Sequence, residues 1–195
     1  MFFYISKYFL YSWIKFYFGA KLIGRENVLP KGTAFIVCAN HYSAFDAVSL
    51  GVMFPGRIHP MAKAELFKKW WQRLLFGKLL GAYPVKRGEV DIKSIKMSLK
   101  FLKNNEVIGI FAEGTRNKTD KVISEPGVAM LAIKAKVPVI PVSIKGEYKA
   151  FGKVELRVGQ PIYLDQYYDK KLKSDEYSKI SIEIMKIIKD MAKNE

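Results

Sequence analysis

Cysteine and histidine are nearly missing from this chain. Cys38 is the only cysteine, so no internal disulfide can form and an intracellular setting fits best. One Cys and two His are too few for a structural zinc site, and no metal or other cofactor is expected. Acidic side chains are scarce as well. Eighteen Asp and Glu stand against 33 Lys and Arg, a formal charge of +15. Such an excess attracts nucleic acid, anionic lipid headgroups or phosphorylated small molecules, with simple solubility as the plainer use. The lysines are spread along the chain and no nucleic-acid-binding motif is present, so nucleic acid is not an expected partner. The N-terminus lacks the basic n-region and small-residue cleavage site of an export signal. No repeat, low-complexity tract or second-domain boundary interrupts the sequence.

What is present is apolar and aromatic. Half of the 195 residues are hydrophobic, enough for one domain with a sizeable core plus a short appendage. The division expected is a membrane-associating helix over 1–20 and a single domain over 21–195. On a helix of about 100° per residue, Phe2, Ile5, Phe9, Trp13 and Phe16 share a narrow arc, with Lys7, Lys15 and Lys21 on the other side. Two lysines in mid-segment oppose a transmembrane span, whereas an aromatic face set against lysines suits a helix lying in the headgroup layer. Packing of the same helix on its own domain is the alternative.

Beyond residue 30, strands alternate with helices. "TAFIVCAN", "RIHPMAKAE", "EVIGIFAEGTR", "VPVIPVSIKG" and "KVELRVGQPI" read as strands. "SAFDAVSLGVMF", residues 91–104, "GVAMLAIKAK" and residues 174–193 read as helices. "LFKKWWQRLLFGKLLG" reads as one amphipathic helix, with Trp70 and Trp71 assigned to the core. Two prolines in "VPVIPVSIKG" suggest an edge or irregular strand. The fold class expected is α/β, a central mixed sheet flanked by helices, plus the N-terminal interfacial helix.

Four polar segments interrupt this pattern. "NHYSAFD" carries His41 and Asp46, which at five residues' spacing would lie about 140° apart on a continuous helix. A strand-to-helix turn changes that: with Ser43 as N-cap and Asp46 at the third helical position, the carboxylate reaches back toward His41. The pair is then either a base with its orienting acid or a turn residue beside a cap. "FAEGTRNK" brings Glu113, Gly114, Thr115 and Arg116 to a strand end, where Gly114 permits unusual backbone and Arg116 offers a fork suited to phosphate. "GAYPVKRGEVD" adds Lys86 and Arg87, either an anion site or a solvated turn. His59 reads as structural.

Taken together, the four segments resemble the glycerolipid acyltransferase family. Asn40-His41-Tyr42-Ser43-Ala44-Phe45-Asp46 matches its N-H-x-S-x-x-D block, and Tyr83-Pro84-Val85-Lys86-Arg87-Gly88 its second. Phe111-Ala112-Glu113-Gly114-Thr115-Arg116-Asn117 matches F-P-E-G-T-R-S with Ala112 for proline and Asn117 for serine, and Val137–Val142 matches the fourth. The likeness runs from residue 24 to about 145. It implies transfer of a fatty acyl group from acyl-CoA or acyl carrier protein to the free hydroxyl of 1-acylglycerol 3-phosphate. In that reading His41 is the base and Asp46 its partner, Arg87 and Arg116 hold the acceptor phosphate, and Glu113, Gly114 and Thr115 shape the acceptor site. Ser43 acts as a cap and not as a nucleophile, and backbone N–H groups at the helix start support the oxyanion. A peripheral or monotopic enzyme on the cytoplasmic face of the membrane follows. Acylation of another lyso-lipid or of glycerol 3-phosphate is the nearest rival, and a non-catalytic basic membrane-binding protein a more distant one.

Overall fold

The computed structural model describes residues 2–86, 91–117, 119 and 121–193. Seven strands form one sheet: β1 (Lys21–Ile23), β2 (Ile36–Ala39), β3 (Ile58–Lys63), β4 (Tyr83–Val85), β5 (Val107–Phe111), β6 (Val139–Gly146) and β7 (Val154–Val158). Their order is β1-β7-β6-β2-β5-β3-β4. β6, β2, β5, β3 and β4 run parallel, as do β1 and β7, and β6 and β7 pair antiparallel, so the sheet is mixed.

All four residues of β2 are buried because both faces of the sheet are covered. Ile36 and Cys38 point to one core with α4 (Ile92–Lys103), α5 (Gly127–Ala135) and α6 (Ser174–Lys193). Val37 and Ala39 point to the other, with α1 (Phe2–Tyr17) and α2 (Phe45–Met53). α4 starts where Asp91 accepts the backbone N–H groups of Lys93 and Ser94. The same carboxylate accepts the Lys86 N–H at 2.9 Å, and these bonds hold the carboxyl group below the usual carboxylate range.

One alternative is settled and two expectations are corrected. β6 lies inside the sheet and not at its edge, so of the two alternatives its prolines raised only the irregular strand holds. Its prolines fit because Pro141 sits where β6 changes partners: Val139 exchanges bonds with Ile162, the β7 ladder begins at Val142, and Gly159 N–H donates to the Pro141 carbonyl. A proline has no N–H to lose at that junction. "LFKKWWQRLLFGKLLG" is not one helix. It forms a 3-10 turn (Ala64–Phe67), a single α-turn, α3 (Trp70–Gln72), and a π-helical stretch (Arg73–Leu79). Nor are its tryptophans in the core, for Trp70 is 73% and Trp71 46% exposed.

α1 packs on its own domain and leaves part of its aromatic face exposed. Ile14 is fully buried, as nearly is Phe18 just past the helix, and Lys7 donates to the carbonyls of Phe54 and Gly56 at the end of α2. Burial pulls the Lys7 ammonium below its usual range, while its position suits the negative end of α2. Phe9 and Phe16 remain in solvent, and Trp13 is partly so. The side chains of Phe2 and Ile5 lie outside the described residues. No helix among those residues is long and apolar enough to cross a membrane.

Candidate active site

Parallel strands deliver their carboxyl ends to one edge of the sheet, where open α/β sheets bind their ligands. Here that edge gathers the segments after β2, β4, β5 and β6. Asn40 fixes the first of them. Its amide donates to the Ile144 carbonyl at 2.9 Å and its carbonyl accepts the Ile144 N–H at 2.7 Å, so the side chain prolongs the β2–β6 pairing by one residue. The next residue is thereby set at the lip of the sheet.

That residue is His41. Its Nδ1 lies 2.9 Å from Asp46 Oδ2, and Asp46 has no exposed surface. The same oxygen accepts the N–H groups of Tyr42 at 2.6 Å and Ser43 at 2.7 Å. A carboxylate oxygen only accepts, so Nδ1 carries the proton and Nε2 the free lone pair. The ring stacks on Phe111 with centroids 4.3 Å apart, and the side chain keeps 12% exposure. A partly exposed imidazole with one nitrogen held by a buried carboxylate has the geometry that general-base chemistry on a hydroxyl or water requires. The capping geometry differs from expectation: Ser43 Oγ accepts only from Phe45 N–H, at 3.3 Å, and α2 begins one residue later. The N–H groups of Tyr42, Ser43 and Phe45 at this turn all have internal acceptors. Cys38 is not an alternative nucleophile, because burial pushes its thiol up to about 12.

The loop after β5 is tied to His41 from two sides. Glu113 Oε2 accepts the His41 N–H at 2.8 Å, and Asn117 N–H donates to the His41 carbonyl at 2.8 Å. Asn117 Nδ2 also donates to Glu113 Oε1, and Lys189 Nζ of α6 stands 3.5 Å from that oxygen. Lys189 further donates to the carbonyls of Thr119 and Lys121. Glu113 is therefore a buried brace for the His41 backbone. Gly114 takes φ +67°, and a Cβ there would stand 3.1 Å from Glu125 Cγ, so only glycine fits the turn without displacement. Thr115 and Arg116 are exposed between the two residues that grip His41. Arg87 lies outside the described residues, while Lys86 before it is anchored through Asp91.

Asn40, Asn117 and Lys189 escaped the sequence reading as site residues. Asn40 and Asn117 had a signal, since both stand inside quoted motifs. Lys189 is one of many lysines in a helix more than 70 residues from Glu113, and only the fold brings them together. His59 bonds Glu106 at 2.6 Å and the Gly81 carbonyl at 2.9 Å and stacks on Phe101. This is a separate cluster beneath β3 and β4.

Fold and site thus define an α/β protein with a histidine–aspartate pair at the carboxyl edge of its parallel strands. The family model described as "Acyltransferase" matches residues 20–145, and the chain belongs to that family. It is 36% identical over 151 residues to the 1-acyl-sn-glycerol-3-phosphate acyltransferase of Bacillus subtilis, covering 74% of each chain. It is 32% identical over 134 residues to the protein of the same name from Saccharomyces cerevisiae, covering 64% of this chain and 42% of that one. The crystal structure of the 1-acyl-sn-glycerophosphate (LPA) acyltransferase PlsC from Thermotoga maritima superposes with a TM-score of 0.72 at 26% identity. That match covers 98% of this chain and 78% of that one.

Asn40→Ala leaves both Ile144 backbone groups without partners in a buried setting, at about 1–3 kcal/mol. Thermal unfolding is expected roughly 3–10 °C lower, with activity falling alongside. An unchanged midpoint would mean that the β2–β6 extension adds nothing to stability.

Proposed function

We propose that this protein transfers a fatty acyl group from acyl-CoA or acyl carrier protein to the free hydroxyl of 1-acylglycerol 3-phosphate, giving phosphatidic acid. The observation that carries the reading is the His41–Asp46 pair at the carboxyl edge of the sheet, gripped by the Glu113–Asn117 loop that presents Arg116. Similarity to proteins named for this reaction supports it.

The chemistry follows from the hydrogen bonds. His41 Nε2 takes the proton from the acceptor hydroxyl as its oxygen attacks the thioester carbonyl. Asp46 stabilises the imidazolium that forms and keeps the ring from turning. The tetrahedral adduct then expels the thiolate, and the imidazolium returns the proton to sulfur. The new ester C–O bond replaces the C–S bond with no change of oxidation state and no acyl-enzyme. Arg116 serves the acceptor phosphate through its planar fork. Arg87 is assigned the same task on the sequence motif alone, and Thr115 and Gly114 form the rest of that wall. Glu113 contributes by bracing His41.

The membrane supplies the acceptor. We assign residues 1–20 to its surface, with the domain over 21–195 working on the cytoplasmic face. The exposed Phe9, Phe16 and Trp13 support this, as does the stripe of Trp70, Trp71, Leu74 and Leu75 among Lys68, Lys69 and Arg73. Interfacial tryptophans with flanking cations are the composition of a headgroup-layer contact. α1 and the π-helical stretch adjoin one another.

The deciding assay is thiol release from a long-chain acyl-CoA with and without 1-acylglycerol 3-phosphate. Wild type should release thiol only with acceptor, and His41→Ala should lower the rate by about 100-fold or more while vesicle binding persists. Release without acceptor would point to a thioesterase. Equal loss of activity and binding would break the separation of base from anchor. Arg116→Ala should raise the acceptor KM by about 10-fold with kcat changed far less, and an unchanged KM would remove the phosphate role.

The chain's three tryptophans report on the membrane reading. In the Trp13→Phe variant, emission from Trp70 and Trp71 should be quenched by vesicles of about one-third anionic lipid carrying brominated acyl chains. Unquenched emission would exclude that stripe from the membrane surface, and loss of binding on deleting residues 1–20 tests α1 separately.

A further inference from the structure

The mechanism uses one oxygen of Asp46 and leaves the other unexplained. Oδ2 carries three donors, while Oδ1 is buried with no hydrogen-bond partner of ordinary geometry. Two other buried oxygens share that condition, Ser49 Oγ and the Tyr148 hydroxyl. They are neighbours: the Tyr148 ring lies 5.6 Å from that of Phe45, the residue before Asp46, and Asp46 and Ser49 both act on the Tyr148 phenol. Ser49 is three residues after Asp46 on α2, on the same helical face. Tyr148 arrives from another direction, two residues after the end of β6. Its ring is held by Phe18 at 5.2 Å and Phe45 at 5.6 Å between centroids. Three unsatisfied buried oxygens in one place, two of them hydroxyls that rotate freely, are donors and an acceptor waiting on a small torsion.

We propose that Tyr148, backed by Ser49, is a positioning residue for the general base, its hydroxyl donating to Asp46 Oδ1 and fixing the carboxylate so that Oδ2 faces His41. Donor counting sets the direction. Asp46 is a carboxylate that accepts from three groups on Oδ2, so the phenol must donate, and the Ser49 hydroxyl donates to the phenol oxygen in turn. Burial, chiefly, and the charge of Asp46 raise the phenol far above its usual range, so it stays a proton donor at any working pH. The bond has two consequences. It satisfies a charge that has no solvent, and it withdraws part of that charge from the imidazole. It also connects the base to α1, because Phe18 follows that helix and packs edge-on to Tyr148 and at a tilt against Phe45.

This inference rests on the transferase reading for its kinetic test and on His41 alone for its spectroscopic one. Tyr148→Phe keeps the ring packing and removes the donor. The acceptor KM should stay within about 2-fold, while kcat falls about 5- to 30-fold. With Asp46 less neutralised, the imidazolium is held more tightly, so the acidic limb of the pH–rate profile should move to higher pH by roughly half a unit. The ¹⁵N titration of His41 should move with it. Glu113, bonded to the His41 N–H and paired with Lys189, is unchanged in the variant and acts as a constant background. Ser49→Ala should give a smaller shift of the same sign and add little in the Tyr148→Phe background, as expected of residues in one chain.

A lower kcat with an unmoved acidic limb and an unmoved His41 titration would reduce Tyr148 to a packing residue and overturn the proposal. So would wild-type kinetics, or additive effects of the two substitutions. If Tyr148→Phe fails to fold, the Ser49→Ala limb and titration decide alone. If wild type has no transferase activity, the function proposed above falls, while the His41 titration in the variants still tests the hydroxyl.

Discussion

A carboxylate with no exposed surface must find its compensation inside the protein, and the arrangement around Asp46 follows from that requirement. Three donors converge on one oxygen: the His41 ring and two backbone N–H groups from the turn between β2 and α2. Each bond does double duty. The backbone pair folds the turn and starts the helix, and the ring bond selects the tautomer that leaves the Nε2 lone pair free. Chemistry and folding therefore draw on the same charge.

Around this core the fold supplies rigidity from three sides. Asn40 locks the residue before the base to β6, and Glu113 and Asn117 hold its backbone to the loop after β5. Lys189 in the closing helix balances the buried Glu113 and gathers two carbonyls of the same loop. A residue near the end of the chain is thus coupled to a motif in its middle. Holding a base on rigid elements from several directions is what lets it meet a substrate without reorganising.

Much of this was legible in the sequence, and the failures have physical causes. The strand runs ending in His41 and Glu113 were readable because their apolar stretches stop at polar motifs, and the Asp46 reach-back followed from the spacing of a capping box. Ser43 misled because the carboxylate, not the hydroxyl, takes the N–H groups at the turn. For β6 the prolines left an edge or an irregular strand open, and only the fold decides between them, because Pro141 sits at a change of partner that no local pattern reveals. The segment 66–81 has an α-helical apolar period. The domain leaves that stripe in solvent, and the backbone departs from regular α geometry there. Tyr148 and Lys189 carry no local signal at all, since their partners lie far away in sequence.

The central claim is that Asp46 holds His41 with the proton on Nδ1 and the lone pair on Nε2. The chain has only two histidines, so ¹⁵N–¹H correlation spectra of the imidazoles, assigned with a His59→Gln variant, read the tautomer directly. The account requires a neutral His41 protonated on Nδ1, with that preference lost in Asp46→Ala. A neutral His41 carrying its proton on Nε2, or a mixture insensitive to Asp46, would contradict it.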